Sequence, residues 1–363
     1  MTKISWKALL RWTTLMPIIA LAALLFTWGR HPVWWILVIE AILLVGAVLS
    51  AVHHAEIIAH RVGEPFGSLI LAVAVTVIEV ALIVTLMVSS TSDASTLARD
   101  TVFAAVMLTM NGIVGISLLV GSLKYRLAVF NPEGAGSALG SVILLASLTL
   151  VLPRFTTSTS EPRLLSSQLV FVAVASLVVY GLFVFTQTIR HRDFFLPPGI
   201  EDDDDSHAKP PSNRATLTSI ILLPIALVSV VGLTKVESPA IEAGVAWLGF
   251  PHSFVGVIIA VMVLLPESIA AVRAASRNRT QISLNLGYGS AMASIGLTIP
   301  TLAIASHWLP GQLNLGLEPI QILLLCVSTV VAVLIVVPGR AKSLHATLLL
   351  ALFSAFIFLA IVP

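Results

Sequence analysis

Eleven predominantly apolar stretches constrain this chain more than anything else in it. They fall at 12–29, 33–52, 67–90, 101–122, 137–153, 166–189, 215–234, 252–275, 281–305, 318–338 and 343–362. About 20 apolar residues in a helix cover the ~30 Å hydrocarbon core of a bilayer. A helix is also the form that satisfies its own backbone N–H and C=O groups where no water is available. The composition agrees: 57% of residues are hydrophobic and 10% are Asp, Glu, Lys or Arg. A soluble domain carries about 25% charged residues. The expected class is an all-α integral membrane protein with eleven transmembrane helices, its partner the lipid bilayer.

The same composition excludes several functions. A formal net charge of +2 gives no electrostatic footprint for a nucleic acid. The one cysteine, Cys326, rules out an intrachain disulfide and any Cys-rich metal or iron–sulfur site. No GxxxxGK[ST] motif is present, so ATP is not expected to drive the protein, and no cofactor is expected. Lys3, Lys7 and Arg11 precede the first apolar segment as in a signal peptide. Trp28-Gly29-Arg30 follows it, not an A-x-A-like cleavage site, so a retained helix is expected.

The loops alternate in Lys and Arg content. One side holds Lys3, Lys7, Arg11, Arg61, Lys124, Arg126, Arg190, Arg192, Lys209, Arg214, Arg273, Arg277, Arg279, Arg340 and Lys342. The other holds Arg30, Arg99, Arg154, Arg163 and Lys235. Fifteen against five places the richer side in the cytoplasm. The N-terminus is then cytoplasmic and the C-terminus outside. The loop 190–214, RHRDFFLPPGIEDDDDSHAKPPSNR, combines prolines with an acidic run and reads as a cytoplasmic linker. It divides the chain into an N-terminal helix at 1–30, five helices at 31–189, the linker, and five helices at 215–363.

The third and eighth spans each carry one carboxylate inside an apolar run, Glu79 and Glu267, and each is the second member of its set of five. The spans that follow them are both rich in small and polar residues. One carries Asn111-Gly112 and Gly115, the other Gly289-Ser290 through Ser294. Because five is odd, the second set must have inverted topology. Inverted repeats around a midplane site are a recurring plan of secondary transporters.

An ionised carboxylate at the depth of Glu79 costs at least ~2.5 kcal/mol on insertion scales. It must be paired, protonated or facing a polar cavity, and Thr76 lies on its helical face. Glu267 sits about 3 residues past mid-span, roughly 4–5 Å along the axis. Pro266 precedes it and removes the donor for the carbonyl of Met262. Pro300 does the same to Gly296, close to Ser294. Either acid is also compatible with a plain structural role, as a protonated hydrogen-bond donor or at a proline kink. Glu40 is a third intramembrane acid without small-residue or proline context, open to a packing, interfacial or site role. His53, His54, Glu56 and His60 end the second span. They read as solvated interfacial histidines, or as a cytoplasmic mouth with some cation affinity. The run Glu201, Asp202, Asp203, Asp204 and Asp205 reads as a solvated tether, or as an electrostatic funnel that concentrates cations. Its spacing is not that of an EF-hand loop.

Residues 61–84, RVGEPFGSLILAVAVTVIEVALIV, resemble the first signature region of the cation/proton exchanger family in the calcium/cation antiporter superfamily. Gly63, Gly67 and Glu79 match, while Val75 and Thr76 stand where the family has a Gly-Asn pair. Residues 254–273 resemble the second region through Phe254, Gly256 and Glu267, again without the Gly-Asn pair. Gly289, Ser290 and Pro300 match the following helix, where Ala293 stands in place of a common glutamine. These departures resemble those of the bacterial branch, the sodium-or-potassium/calcium proton antiporters. The resemblance spans nearly the whole chain. It implies an antiporter in a bacterial inner membrane that exports Ca2+, or Na+ and K+, in exchange for H+.

On that expectation Glu79 and Glu267 face each other and supply charge to a hard cation. Thr76, Asn111, Ser290, Ser294 and freed carbonyls supply neutral oxygens. Without a cation, low dielectric and like charge favour protonated carboxyls, so one site holds either protons or metal. Alternating access moves one helix group against the other. Two rivals are a passive cation channel without proton coupling, and an intramembrane metallohydrolase built on His53, His54, Glu56 and His60. The charge asymmetry makes a direct prediction. Reporter fusions after residue 205 should read cytoplasm and fusions at the C-terminus should read the outside; the same side for both would refute the eleven-span topology.

Overall fold

The computed structural model describes residues 12–30, 33–63, 66–89, 94–157, 161–198, 211–308 and 313–363. The acidic run Glu201–Asp205 lies outside the described residues, as do Lys3, Lys7, Arg11 and Lys209. All eleven apolar segments are helical. They are α1 (Trp12–Thr27), α2 (Trp34–Val62), α3 (Phe66–Ser89), α4 (Leu97–Tyr125), α5 (Pro132–Phe155), α6 (Ser166–Arg190), α7 (Asn213–Trp247), α8 (Phe254–Ser276), α9 (Thr280–Ala305), α10 (Pro319–Val336) and α11 (Ser343–Ile361). Ten of these are long and apolar enough to cross a membrane, and α1 is shorter at 16 residues. The protein is a multi-pass, all-α membrane protein.

Two helices run well past the limits that hydropathy sets. α2 has 29 residues and carries the histidine-rich segment inside the helix. α7 has 35 residues and continues through Lys235, Glu237 and Pro239, where the sequence predicts an end at 234. At 1.5 Å per residue α7 is ~52 Å long, so its ends extend beyond the ~30 Å hydrocarbon core.

The helices form two compact units, and each draws on both halves of the sequence. The first comprises residues 1–93 and 207–248 and holds α1, α2, α3 and α7. Here α7 packs along α1, α2 and α3, and α2 packs on α1 and α3. Ala47, Ala51 and Ala55 of α2 are fully buried, and such small residues bring helix backbones close in the absence of a strong hydrophobic force. Pro17 interrupts α1 and has no N–H to offer the Thr13 carbonyl. α2 supplies the missing donors: Ser50 Oγ donates to that carbonyl at 2.6 Å and His54 Nε2 at 2.9 Å. Gly67 brings the start of α3 against the end of α2, where a Cβ would lie 2.6 Å from the Ala59 carbonyl oxygen.

The second unit comprises residues 94–206 and 249–363 and holds the other seven helices. Its most buried helix is α4, with 83% of its apolar window covered. α4 contains a π-helical turn at Leu108–Ile113, around Asn111-Gly112. A second π turn, Ser147–Val151 of α5, precedes Pro153, and the Leu150 carbonyl there accepts from the Leu317 N–H at 2.9 Å. α9 breaks at Leu297, one residue past Gly296, because Pro300 removes the donor for the Gly296 carbonyl and its ring clashes with it. A two-stranded antiparallel ladder, β1 (Ala128–Val129) with β2 (Arg340–Ala341), ties the α4–α5 connection to the α10–α11 connection. At the start of α4, buried Arg99 pairs with Asp100 at 2.8 Å and reaches Glu318, at the N-cap of α10, at 3.1 Å.

α8 approaches α4 so closely at Gly256 that a Cβ would sit 2.7 Å from the Thr101 nitrogen and 2.9 Å from the Asp100 carbonyl carbon. Backbone atoms cannot rotate away as a side chain can. Gly256→Ala should therefore lose about 1–3 kcal/mol to overpacking, more than the ~1 kcal/mol that alanine gains over glycine in a helix. Gly289→Ala adds a methyl where nothing lies within 4 Å and should be neutral or stabilising. Thermal unfolding of the two purified variants compares them directly, and equal midpoints would contradict the packing described.

Candidate functional site

Glu79 lies on α3 with 2% of its surface exposed. The helix is two-faced at this depth: Val73 and Val77 are exposed, whereas Val75, Thr76, Ile78, Leu82 and Ile83 are buried with the acid. An apolar face toward lipid turns Glu79 and Thr76 inward. The Thr76 hydroxyl is buried and has no hydrogen-bond partner among the described residues. An oxygen left in that condition costs ~1–3 kcal/mol, and it lies one turn from the carboxyl group.

The remaining expected site residues belong to the second unit. Glu267 is half-buried on α8, directly after Pro266. Ser268 next to it turns its hydroxyl back onto its own helix, donating to the Leu264 carbonyl at 2.7 Å. Asn111 is fully buried in the π turn of α4, the kind of helix irregularity that recurs at functional sites. Its Nδ2 donates to Ser328 Oγ of α10 at 3.0 Å and lies 3.7 Å from Met107 Sδ, while Oδ1 is buried without a partner among the described residues. Ser290 is half-buried and Ser294 is 3% exposed on α9, one turn apart and so on one face. α8 and α9 pack on each other and on the π turn of α4. Thus Glu267, Asn111, Ser290 and Ser294 stand on three mutually packed elements.

The structure corrects two readings of the lesser candidates. His54 is not a solvated interfacial residue, since it is 2% exposed. Its Nε2 faces the Thr13 carbonyl, which can only accept, so Nε2 carries the proton; the neutral ring's Nδ1 then accepts from Ser219 Oγ at 3.0 Å. Both ring nitrogens are engaged in holding α1, α2 and α7 together and neither is open to a metal. His53 and Glu56 are half-buried and His60 is exposed, and no group of three or more His, Cys, Asp or Glu suited to a metal occurs among the described residues. Glu40 is 1% exposed and is hydrogen-bonded through Oε1 to Thr27 Oγ1 of α1, so an interfacial role does not describe it.

Sequence reasoning missed Ser328 and Glu237. Ser328 is a lone serine in an apolar run, and only the fold brings it to Asn111. Glu237 is 4% exposed on α7. With Lys235 two residues before it, the segment reads as a charged loop when hydropathy alone is counted.

The chain matches the family described as sodium/calcium exchanger protein over residues 32–189 and 218–362. It is 43% identical over 332 residues to the "putative ionic transporter y4hA" of Sinorhizobium fredii, covering 90% of this chain and 89% of that protein. It is 34% identical over 352 residues to the "sodium-potassium/proton antiporter ChaA" of Escherichia coli, covering 94% of each. The fold is similar to the crystal structure of the "H+/Ca2+ exchanger CAX", with a TM-score of 0.69 and 16% identity over 95% of this chain and 86% of that one. The relatives are transporters, not enzymes. On the match of both blocks and the shared fold, the chain belongs to the sodium/calcium exchanger protein family.

Proposed function

We propose that the chain is a cation/proton antiporter. It exports a hard cation, Ca2+ or Na+ and K+, in exchange for H+ across a bacterial inner membrane, with a cytoplasmic N-terminus. Glu79 and Glu267 are the carboxylates that hold proton and cation in turn. The observation that carries the reading is Glu79 itself, 2% exposed within an apolar helix and one turn from a buried hydroxyl without a partner among the described residues. Helix packing does not require a titratable group there, whereas a site that alternates between a proton and a cation does. The sodium-potassium/proton and H+/Ca2+ names carried by the similar proteins support the same coupling.

Each ligand has a chemical part. The carboxylates supply charge, which a bilayer-depth site needs to compensate a dehydrated cation. Thr76 on α3, and Asn111, Ser290 and Ser294 in the second unit, supply neutral oxygens, the donors hard cations prefer. With the cation gone, low dielectric favours the neutral acid, so the carrier returns with protons. Alternating access then exposes the site to one side at a time. Glu79→Gln and Glu267→Gln keep shape but remove the exchangeable proton. Each should abolish coupled exchange in proteoliposomes while the protein still inserts and folds; near-normal exchange in either removes that residue from the mechanism.

Shared carboxylates also predict competition. A proton must leave before the cation can sit, so apparent cation affinity should fall as pH drops on the loading side. The fall should be up to about tenfold per pH unit for each proton displaced. The maximal rate should not simply rise with pH, because protons must load on the opposite side to return the carrier. Initial exchange rates against cation concentration at several loading-side pH values measure this. Affinity that stays constant while activity changes would mean that protons and cation use separate sites.

A further inference from the structure

A second buried pair of acids lies in the first unit, away from Glu79. Glu40 of α2 and Glu237 of α7 are 1% and 4% exposed on helices that pack along each other, and Glu40 acts on Glu237 as a like charge. Each keeps one oxygen, Glu40 Oε2 and Glu237 Oε1, buried without a hydrogen-bond partner among the described residues; the fully buried hydroxyl of Ser238, next in α7, is in the same condition. Two ionised carboxylates so placed would repel each other and leave these two oxygens without a donor among the described residues, which hydrocarbon does not tolerate.

Thr27 shows how a proton fits. Its Oγ1 lies 3.0 Å from the Ala23 carbonyl and is also hydrogen-bonded to Glu40 Oε1. A hydroxyl has one proton and a carbonyl can only accept. If Thr27 donates to Ala23, Glu40 must be the donor to Thr27 and carries a proton; if Thr27 donates to Glu40, the carboxylate is served instead. The same three groups therefore accommodate Glu40 in either protonation state by turning one hydroxyl.

A cavity of about 520 Å³ is lined by chain neighbours of the pair, with Glu40, Glu237 and Thr27 themselves behind its walls. Among the residues that line it, Trp28, Leu37 and Val236 are one to three positions from Thr27, Glu40 and Glu237. Its other walls include Arg30 and Lys235, held over the rings of Phe26 and Trp28 at 4.8 and 5.1 Å. Two cations in the cavity walls disfavour a metal ion there, whereas one proton between two like-charged carboxyl groups relieves their repulsion. The other titratable side chains on the packed elements are Glu79, the one acid of α3, Arg214 and Glu242 on α7, and His53, His54, Glu56, His60 and Arg61, which lie 13 or more residues further along α2 than Glu40. With two carboxyl groups the pair also falls short of a metal-holding group.

We propose that Glu40 and Glu237 form a proton-sharing carboxyl pair, a second proton-binding site of this protein, reached from the cavity walled by Arg30 and Lys235. The antiport reading gives this site its purpose. On the orientation set by the Lys and Arg bias the cavity faces outside, where an exporter loads protons. The site itself is tested without transport. Infrared spectra of the full chain in liposomes, titrated in H2O and D2O without transported cations, report protonated carboxyl groups. Difference spectra between wild type and Glu40→Gln/Glu237→Gln isolate the pair from Glu79 and Glu267. Wild type should show two proton-uptake steps separated by more than about 1 pH unit, as strongly interacting sites do. Glu40→Gln and Glu237→Gln should each collapse these into one step at a new position.

Two outcomes overturn the proposal. In one, each single variant leaves the other group's step unmoved, as independent acids would. In the other, wild type and the double variant do not differ. Where the double variant folds poorly, Glu79→Gln/Glu267→Gln, which keeps the pair, serves instead: its titration should still show the two steps, and a single step, or a band unchanged in D2O, refutes the pair. Exchange that fails in Glu79→Gln while the two-step titration persists would count against neither site and would keep this inference separate from the transport mechanism.

Discussion

A carbonyl or carboxyl group that enters hydrocarbon without a partner loses its water and gains nothing, at a cost of several kcal/mol. The polar residues of the spans are arranged around that penalty. Pro17 frees the Thr13 carbonyl, and the side chains of Ser50 and His54 are spent on it. Near Pro153 the backbone of Leu317 comes in to meet Leu150. The Thr13 and Leu150 carbonyls each have a donor from another segment, and the result is a fixed contact between them. The Thr76 hydroxyl and the Asn111 amide oxygen are different, since both are buried and neither has a partner among the described residues. On the proposed mechanism these two oxygens, one turn from Glu79 and in the π turn, are the ones left available to a cation.

The arrangement also explains why so much of the fold was legible in the sequence and where legibility stopped. The spans were readable because about 20 consecutive apolar residues have few other uses, and all eleven segments are helices. The ends of α2 and α7 were not readable. Hydropathy measures a helix against lipid, whereas α2 and α7 lie against each other and against α1. There His54 finds a carbonyl and a hydroxyl, so charge-bearing sequence remains helical past residues 52 and 234. The compact units were hidden for a related reason. Their boundaries follow contacts, and the first unit takes α7 from the far side of the acidic linker.

At the candidate site the same division holds. Glu79, Glu267 and Asn111 stood out because a strongly polar side chain within an apolar run requires an explanation. Ser328 did not, because serine occurs throughout membrane helices as a packing residue and its partnership with Asn111 depends on the meeting of α4 and α10. Glu40 was visible as an intramembrane acid, but its meaning depends on Glu237, which sequence counting assigns to a loop. A lone buried acid suggests packing; two that share an environment suggest a proton.

The departures from the exchanger pattern acquire a physical sense in this setting. Val75 and Thr76, which stand where the resembled family has Gly-Asn, are 7% and 6% exposed and fill the buried face of α3. A Gly-Asn pair would leave space and bring an amide, whereas Val-Thr fills the space with methyl groups and brings a hydroxyl. The hydroxyl still offers an oxygen lone pair to a cation, but on a shorter arm and with one stiff rotamer axis. On the proposed site, Thr76 therefore makes the contribution of α3 tighter and less adaptable than an asparagine would. On the other unit the adaptable amide is present as Asn111, held at a π turn where one extra residue per turn moves its side chain out of the regular helical row. Selectivity among hard cations depends on how many oxygens can close on the ion and how far each can move. On the proposed site that freedom lies with Asn111, on the distorted helix packed beside that of Glu267.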